Sequence, residues 1–230
     1  MSGEKRYSVK AVWRTLQGEG AWAGRPAVFV RFTGCNMWTG YEKDRAADAE
    51  RNSATCPLWC DTDFTKEGAA KLSAAELADE MLSVAGDIRF CVLTGGEPFL
   101  QADGPLIRAL HDAGFFVAME TNGTLSLSET FGDAPPNWVV CSPKLPAEQL
   151  VIEHMDELKL VVPDYLPENY ATLADLTRIH TLGGATTKFL WVQPEDGPRL
   201  NDATKLAVEL AQATPAWRVS VQIHRVLGVE

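Results

Sequence analysis

The stretch Arg89-Phe-Cys-Val-Leu-Thr-Gly-Gly-Glu-Pro98 joins an apolar run directly to a glycine-rich turn. A short apolar run that is bounded by turn residues is typical of a strand buried in a parallel sheet. Similar runs recur along the chain with helical patterns between them, which indicates successive β/α units. The predicted strands are residues 27–32, 89–93, 115–119, 138–140, 158–162, 188–192 and 218–223.

The segments between these strands include three with the features of helices. Ser73-Ala-Ala-Glu76 has the spacing of a capping box, and Leu77 and Met81 after it share one apolar face. Residues 105–113 end at a glycine, and residues 201–213 carry leucines at helical spacing. We expect these helices to pack on the outside of the sheet as right-handed crossovers.

The number of strands bears on how the sheet closes. Seven predicted strands are one fewer than the eight of a complete β/α barrel. The sequence therefore predicts an α/β fold with mostly parallel strands, arranged as an incomplete, open (β/α) barrel.

Polar and glycine-rich motifs follow several of the predicted strands. Enzymes with β/α barrels build their active sites at the carboxyl ends of the strands, so these motifs are expected to meet there. The motifs are Thr33-Gly-Cys35, Thr94-Gly-Gly-Glu-Pro98, Glu120-Thr-Asn-Gly123, Cys141-Ser-Pro-Lys144, Gln193-Pro-Glu-Asp196 and Gln222-Ile-His224.

Length, charge and hydropathy limit the classes of protein to consider. A chain of 230 residues with 46% hydrophobic residues can bury one full core, so we expect one domain over residues 1–230. The net charge of −10 argues against direct binding to nucleic acid and favours a small-molecule substrate. The first ten residues hold no apolar run and no later stretch approaches the roughly 20 apolar residues of a membrane span, so we expect a cytoplasmic protein.

Three of the five cysteines form a spaced group. Cys35, Cys56 and Cys60 are separated by twenty and by three residues. Thiolates select iron–sulfur clusters or zinc, and three of them leave one coordination position without a cysteine. The two other cysteines, Cys91 and Cys141, fall within or at the end of predicted strands and are interpreted as packing residues.

Zinc is the alternative metal for this group. A Cys3His site would need a histidine as the fourth ligand, and ordinary buried thiols are a further possibility. Neither alternative explains the Gly-Gly-Glu-Pro turn, whose glycines let a ligand approach the backbone and whose glutamate can receive an ammonium group. The candidate histidines are His111, His154, His180 and His224.

Six short motifs carry a resemblance that covers nearly the whole chain. They are Thr15-Leu-Gln-Gly-Glu-Gly20, Arg31-Phe-Thr-Gly-Cys35, Cys60-Asp-Thr62, Thr94-Gly-Gly-Glu-Pro98, Glu120-Thr-Asn-Gly123 and Ser142-Pro-Lys144. Together they resemble the 7-carboxy-7-deazaguanine synthase family of radical S-adenosylmethionine (SAM) enzymes. The gap of three residues between Cys56 and Cys60 departs from the two-residue gap of most radical SAM proteins, and residues 36–55 resemble an insertion that some members of the family carry in the cluster-binding loop.

The resemblance implies a fold and a chemistry. The fold would be a barrel of the radical SAM type, and Cys35, Cys56 and Cys60 would hold a catalytic 4Fe-4S cluster that binds SAM and releases a 5′-deoxyadenosyl radical. The reaction would convert 6-carboxy-5,6,7,8-tetrahydropterin to 7-carboxy-7-deazaguanine with loss of ammonia, which is the reaction of a carbon–nitrogen lyase. The product would enter the biosynthesis of queuosine and other 7-deazapurines, and thus purine biosynthesis and tRNA modification.

The resemblance also assigns residues, matched motif by motif. The residues implied for SAM are Gly96, Glu97, Glu120, Asn122, Ser142, Pro143, Lys144 and Gln193. Those implied for the pterin substrate are Leu16, Gln17, Gly18, Arg31, Thr94 and His224. The hydroxyl of Thr62 would bind Mg²⁺, a cation that prefers oxygen ligands.

Partners follow from the same resemblance. It implies an external one-electron donor, such as a flavodoxin or a ferredoxin, and a homodimer, with no direct nucleic-acid partner. The rival enzyme class is a glycyl-radical-enzyme activase, which would leave the Leu-Gln-Gly-Glu-Gly motif and Arg31 without a purpose. The non-enzymatic rival is a zinc-binding module.

Overall fold

The computed structural model describes residues 4–54, 60, 62–182 and 184–229. The strands are β1 Tyr7–Leu16, β2 Pro26–Phe32, β3 Ala70–Leu72, β4 Phe90–Gly95, β5 Phe116–Thr121, β6 Trp138–Cys141, β7 Glu157–Val162, β8 His180–Leu182, β9 Ala185–Thr187, β10 Phe189–Pro194 and β11 Trp217–Val219. The helices are α1 Arg45–Asn52, α2 Ala74–Ala85, α3 Gly104–Asp112, α4 Leu127–Phe131, α5 Ala171–Ala174, α6 Leu200–Ala213 and α7 Ile223–Leu227.

One open sheet organises the fold. In the described residues its nine strands run in the order β11-β10-β7-β6-β5-β4-β2-β1-β3, so β11 and β3 are its edges. In this order, each neighbouring pair from β11 to β2 is parallel. Strand β1 pairs antiparallel with both β2 and β3. Strands β8 and β9 form a separate hairpin. The prediction of an incomplete, mostly parallel sheet is confirmed.

The seven parallel strands lie where the apolar runs predicted them, with most ends shifted by no more than two residues, and one strand is much shorter than predicted. The last strand was predicted over residues 218–223, but β11 ends at Val219 and α7 begins at Ile223. The amide of Ser220 still donates to the β10 residue Val192 at 3.0 Å, whereas the amide of Ile223 donates to Gly18 at 2.9 Å. After Ser220 the chain therefore leaves the sheet, because the amide of Ile223 bonds to the turn at Gly18 and not to a neighbouring strand.

Helix α2 shows how local sequence places the outer layer. Ser73 caps the helix and exchanges hydrogen bonds with Glu76 in a capping box, as predicted. Leu77 and Met81 are completely buried against the sheet. Burying a large apolar side chain stabilises a fold by about 1.5–3 kcal/mol, so this face of α2 holds the helix on the sheet. No helix in the described part of the chain has both the length and the apolar character needed to cross a membrane.

Alternation along each parallel strand divides the interior into layers, because successive side chains point to opposite faces of a sheet. In β4, Cys91 and Leu93 pack in the core under the helices. Phe90 and Val92 face the other way, into an aromatic cluster inside the curve of the sheet. The next inward position is Thr94, which lines a cavity. The aromatic cluster therefore closes the amino-terminal end of the strands and leaves a cavity above it.

Candidate active site

A cavity of about 560 Å³ lies at the carboxyl ends of the parallel strands. Fifteen of the residues that the sequence nominated line it: Leu16, Gln17, Gly18, Arg31, Cys35, Cys60, Thr62, Thr94, Gly96, Glu120, Asn122, Ser142, Lys144, Gln193 and His224. Glu97 and Pro143 are buried beside the cavity without lining it, and Cys56 lies outside the described residues.

The Gly-Gly-Glu-Pro loop packs against the loop that carries Cys35. Gly95 has a φ of +139°, a conformation that favours glycine, and a Cβ there would overlap the backbone of Phe32. A Cβ on Gly96 would overlap the carbonyl oxygen of Gly34, and the amide of Glu97 donates to that same oxygen at 2.9 Å. The two glycines therefore allow the two loops to meet backbone to backbone beneath the cavity.

The buried carboxylate of Glu97 stabilises this junction through hydrogen bonds. One carboxylate oxygen accepts hydrogen bonds from the amide of Phe99 at 3.0 Å and the hydroxyl of Thr121 at 2.9 Å, and the other accepts from the amide of Asn122 at 2.7 Å. Burial raises the pKa of Glu97 to about 7, although these three donors oppose the shift. The Glu97 carboxylate therefore supports the Glu-Thr-Asn-Gly motif beside the cavity.

Cys35 and Cys60 both line the cavity and lie in an apolar environment. Their neighbours are the side chains of a small buried cluster, namely Met37, Trp38, Phe64 and Leu145. Burial raises the pKa of the Cys35 thiol to about 11, and amide donors from Met37 and Trp38 only partly oppose this. Within the described residues, from which Cys56 is missing, no group of three metal-ligating side chains is assembled.

The 36–55 insertion contacts this cysteine pair. It contains helix α1, whose Arg45 guanidinium donates to the carbonyl oxygen of Cys60 at 2.7 Å. Asn52, at the other end of the helix, donates to the carbonyl oxygen of Met37 at 2.6 Å. The insertion therefore contacts the segment of Cys60 and ties helix α1 to the residues that follow Cys35, and its Met37 and Trp38 line this end of the cavity.

The Leu-Gln-Gly-Glu-Gly turn meets the last helix on the opposite side. A Cβ on Gly18 would overlap the ring of His224, so a glycine is required for this approach. The imidazole of His224 lines the cavity beside the turn. The structure thus brings together two motifs that lie about 200 residues apart in the sequence.

Arg31 presents an unused hydrogen-bond donor. It lies on β2 with its guanidinium carbon 4.9 Å from the centre of the Trp13 ring. Its Nε is buried and finds no acceptor among the described residues. A buried donor without a partner is costly, so this position suits a ligand that supplies an acceptor.

A charged cluster of Glu19, Glu120 and Lys159 forms part of the cavity floor. The Lys159 ammonium donates to both carboxylates, and Gln222 donates to Glu19 at 2.7 Å. Burial alone would raise the pKa of Glu19, but the ammonium of Lys159 lowers it overall. Burial alone would lower the pKa of Lys159, and the two carboxylates raise it overall, so Glu19 and Lys159 form a charged pair.

Glu157 lies below this cluster, two residues before Lys159 on β7. Its carboxylate accepts from the indoles of Trp138 and Trp191, each at 2.5 Å, and from the amide of Ala21 at 2.9 Å. Burial raises the pKa of Glu157 to about 7. Sequence reasoning did not identify Glu157 or Lys159, although their alternation in an otherwise apolar strand was a usable signal.

Four further nominated residues make side-chain hydrogen bonds around the cavity. Asn122 donates to the side chain of Asn36 at 2.9 Å, in the loop that follows Cys35. Lys144 donates to the hydroxyl of Ser142 at 3.1 Å. Gln193 accepts a hydrogen bond from Ser220 at 2.9 Å.

Three of the four candidate zinc histidines do not line the cavity and contact residues elsewhere. His111 contacts Asn137 at 2.9 Å, and His154 contacts Arg178 at 3.1 Å. His180 lies against the ring of Trp138, with 4.7 Å between ring centres. Of the four, His224 is the one that lines the cavity together with Cys35 and Cys60.

The chain is similar along nearly its full length to proteins named 7-carboxy-7-deazaguanine synthase. One from Bordetella pertussis is 44% identical and one from Burkholderia multivorans is 42% identical, and in each case the match covers 97% of this chain and 99% of the relative. The crystal structure of QueE from Escherichia coli matches with a TM-score of 0.66 and 26% identity, over 94% of both chains. No protein-family model matches the chain.

Proposed function

The chain belongs to the 7-carboxy-7-deazaguanine synthase family, and from that membership we propose that it converts 6-carboxy-5,6,7,8-tetrahydropterin to 7-carboxy-7-deazaguanine with loss of ammonia. The product would supply queuosine and other 7-deazapurines. The observation that carries the proposal is one cavity in which a cysteine pair, a glycine cradle and an arginine with an unused donor meet. The relatives do not favour the glycyl-radical-enzyme activase or the zinc-binding module.

The residues of the cavity fit a 4Fe-4S cluster with SAM. We propose Cys35, Cys56 and Cys60 as the cluster ligands, because Cys35 and Cys60 line the cavity together and iron–sulfur clusters are held by cysteine thiolates. When bound, the cluster and SAM supply the one-electron chemistry that starts the reaction. The apolar side chains around Cys35 and Cys60 exclude water from this side of the cavity.

The SAM side of the cavity is built on the loops next to Cys35. We propose that SAM contacts six residues that line the cavity: Gly96, Glu120, Asn122, Ser142, Lys144 and Gln193. Glu97 and Pro143, which are buried beside the cavity, are the other two proposed SAM residues. Glu97 also supports this wall through its hydrogen bonds to Thr121 and Asn122.

The pterin side is the turn at Gly18 together with the inward face of β2 and β4. We propose that Leu16, Gln17, Gly18, Thr94 and His224 hold the pterin rings. Arg31 would pair with the substrate carboxylate, because a guanidinium offers a planar fork of donors and the Nε of Arg31 is buried without an acceptor.

Magnesium is the third proposed cofactor. The hydroxyl of Thr62 lines the cavity two residues after Cys60, and Mg²⁺ takes oxygen ligands while keeping several waters. A magnesium ion on Thr62 would neutralise charge on the substrate carboxylate. Asp61, a neighbouring carboxylate, lies outside the described residues.

The proposed partners are an external one-electron reductant of the flavodoxin or ferredoxin type and a second copy of the chain. Cysteines that bind a cluster must not be oxidised to disulfides, and Cys35 and Cys60 form none, so we propose a cytoplasmic location, where thiols stay reduced. We further propose that residues 1–230 act as one radical SAM domain.

The test is an anaerobic reaction analysed by mass spectrometry. Protein reconstituted with iron and sulfide is supplied with SAM, magnesium, a strong reductant and 6-carboxy-5,6,7,8-tetrahydropterin. We expect 7-carboxy-7-deazaguanine to form. The Cys60→Ala variant should abolish the product, whereas Cys91→Ala, which removes a buried cysteine outside the cavity, should retain it.

Two outcomes would contradict different parts of the proposal. If SAM is cleaved to 5′-deoxyadenosine but no 7-carboxy-7-deazaguanine forms, the proposed radical chemistry is supported and the proposed substrate is wrong. Absence of both products, with a verified cluster, would refute the proposed chemistry as a whole.

A further inference from the structure

Lys159 joins two segments of the cavity wall that are far apart in the sequence. Its side chain is only 5% exposed, and its ammonium donates to Glu19 and, at 2.9 Å, to Glu120. Gln17 Nε2 lies 3.5 Å from the other oxygen of Glu120, and Gln222 Nε2 donates to the other oxygen of Glu19 at 2.7 Å. One buried ammonium therefore fixes the orientation of two carboxylates.

The two carboxylates belong to the two halves of the proposed site. Glu19 lies in the same turn as Gln17 and Gly18, on the pterin side. Glu120 begins the Glu-Thr-Asn-Gly motif that follows β5, on the SAM side. Lys159 is thus placed where the two ligand sites meet.

The turn does not depend on Lys159 to stay on the sheet. The Glu157 carboxylate accepts from the amide of Ala21 at 2.9 Å, and the amide of Gly20 donates to the hydroxyl of Ser220 at 3.1 Å. These two bonds tie the turn to β7 and to the segment after β11. The ion pair of Lys159 with Glu19 therefore adds more than an anchor for the backbone.

We propose that Lys159 is a positioning residue that couples the binding of SAM to the binding of the pterin, an inference that rests on the proposed function. A ligand that orders Glu120 also orders the ammonium, which in turn orders Glu19 for the second ligand. Without the ammonium, the two partly buried carboxylates repel each other and adopt independent positions. By linkage, each ligand must tighten the binding of the other by the same factor.

The test measures this factor directly. The cluster-loaded protein is kept anaerobic without reductant, so that no turnover occurs. The dissociation constant of SAM is measured by calorimetry with and without saturating 6-carboxy-5,6,7,8-tetrahydropterin. We expect the pterin to tighten SAM binding by about fivefold or more in the natural protein, within the usual range of such coupling, and by a factor near one in Lys159→Met.

A matched variant and a conservative variant separate coupling from general damage. Lys188→Met removes a lysine that contacts Ala174 and Asp175 outside the cavity, so it should leave the coupling factor unchanged. Lys159→Arg keeps the charge and should recover part of the factor that Lys159→Met loses. If Lys159→Met does not fold, Glu19→Gln serves instead, because it weakens one contact of the ammonium and should also bring the factor toward one.

The outcomes distinguish this inference from the function on which it rests. If the natural protein binds both ligands without coupling, or if Lys159→Met folds and keeps the full factor, the role of Lys159 is refuted and the proposed function stands. If the cluster-loaded protein binds neither SAM nor the pterin, the proposed function fails first, and the inference falls with it.

Discussion

The buried carboxyl group of Glu157 predicts a pH dependence of stability that the variant Glu157→Gln should remove. Burial raises the pKa of Glu157 from a usual value of 4.5 to about 7, so the folded state binds an extra proton between these two pH values. A raised folded pKa means that stability is fully present below pH 4.5 and is lost as the pH rises through 7. From pH 5 to pH 8 the loss amounts to about 2.5 kcal/mol, at about 1.36 kcal/mol for each unit of pKa shift.

The glutamine variant lacks this titration. Its amide nitrogen would also face a donor, either the indole of Trp138 or that of Trp191, which costs about 1–3 kcal/mol at every pH. The difference in unfolding free energy between the natural protein and Glu157→Gln should therefore be about 2.5 kcal/mol larger at pH 5 than at pH 8. Urea denaturation of the cluster-free protein at the two pH values measures it.

A control variant identifies the source of the effect. Glu209→Gln changes an exposed glutamate on α6, so its difference from the natural protein should be the same at both pH values. A difference for Glu157→Gln that is constant, or that increases toward pH 8, would refute the assignment of the raised pKa to this carboxyl group.

Three further predictions concern the cavity. Arg31→Lys removes the fork of donors, so the KM for the pterin should rise about tenfold or more in steady-state assays while the SAM dissociation constant stays the same; an unchanged KM would exclude Arg31 as the carboxylate ligand. Gly96→Ala places a Cβ on the carbonyl oxygen of Gly34, so reconstituted protein should retain less than about half of its iron by colorimetric analysis, and full retention would contradict the backbone contact. Cys91→Ala should bind iron like the natural protein and lower stability by about 1–2 kcal/mol in urea, whereas Cys60→Ala should lose iron; equal iron loss in both would refute the assignment of the ligands.

Much of the fold followed from the sequence because the parallel strands are buried on both faces. In β4 the run from Phe90 to Leu93 is apolar throughout, and the turn after it is rich in glycine. Strand β1 was missed for a physical reason. Its pairing with β2 shifts register between Val9 and Ala11, and such an irregularity breaks the alternation from which a half-buried strand is recognised.

The candidate site was predictable where a motif ends a strand, and not where a single residue lies within one. Thr94 and Glu120 lie at strand ends next to glycine-containing motifs, so their place at the cavity could be inferred. Lys159 lies within β7, and its contact with Glu19 depends on how the chain folds back over 140 residues. The same limit applies to His224, whose approach to Gly18 follows from the end of β11 and not from any local pattern.

The two carboxyl groups whose pKa is raised by burial, Glu97 and Glu157, have similar surroundings. Glu97 and Glu157 are each buried, each accepts three hydrogen bonds, and neither lines the cavity. A buried carboxylate with three donors fixes the groups around it far more precisely than an apolar side chain could, because each bond constrains a direction as well as a distance. Glu97 fixes the loops next to Cys35, and Glu157 fixes the turn that contains Gly18 and Ala21. The burial of these two charges therefore serves the geometry of both halves of the cavity, at a cost in stability that the pH experiment on Glu157 measures for one of them.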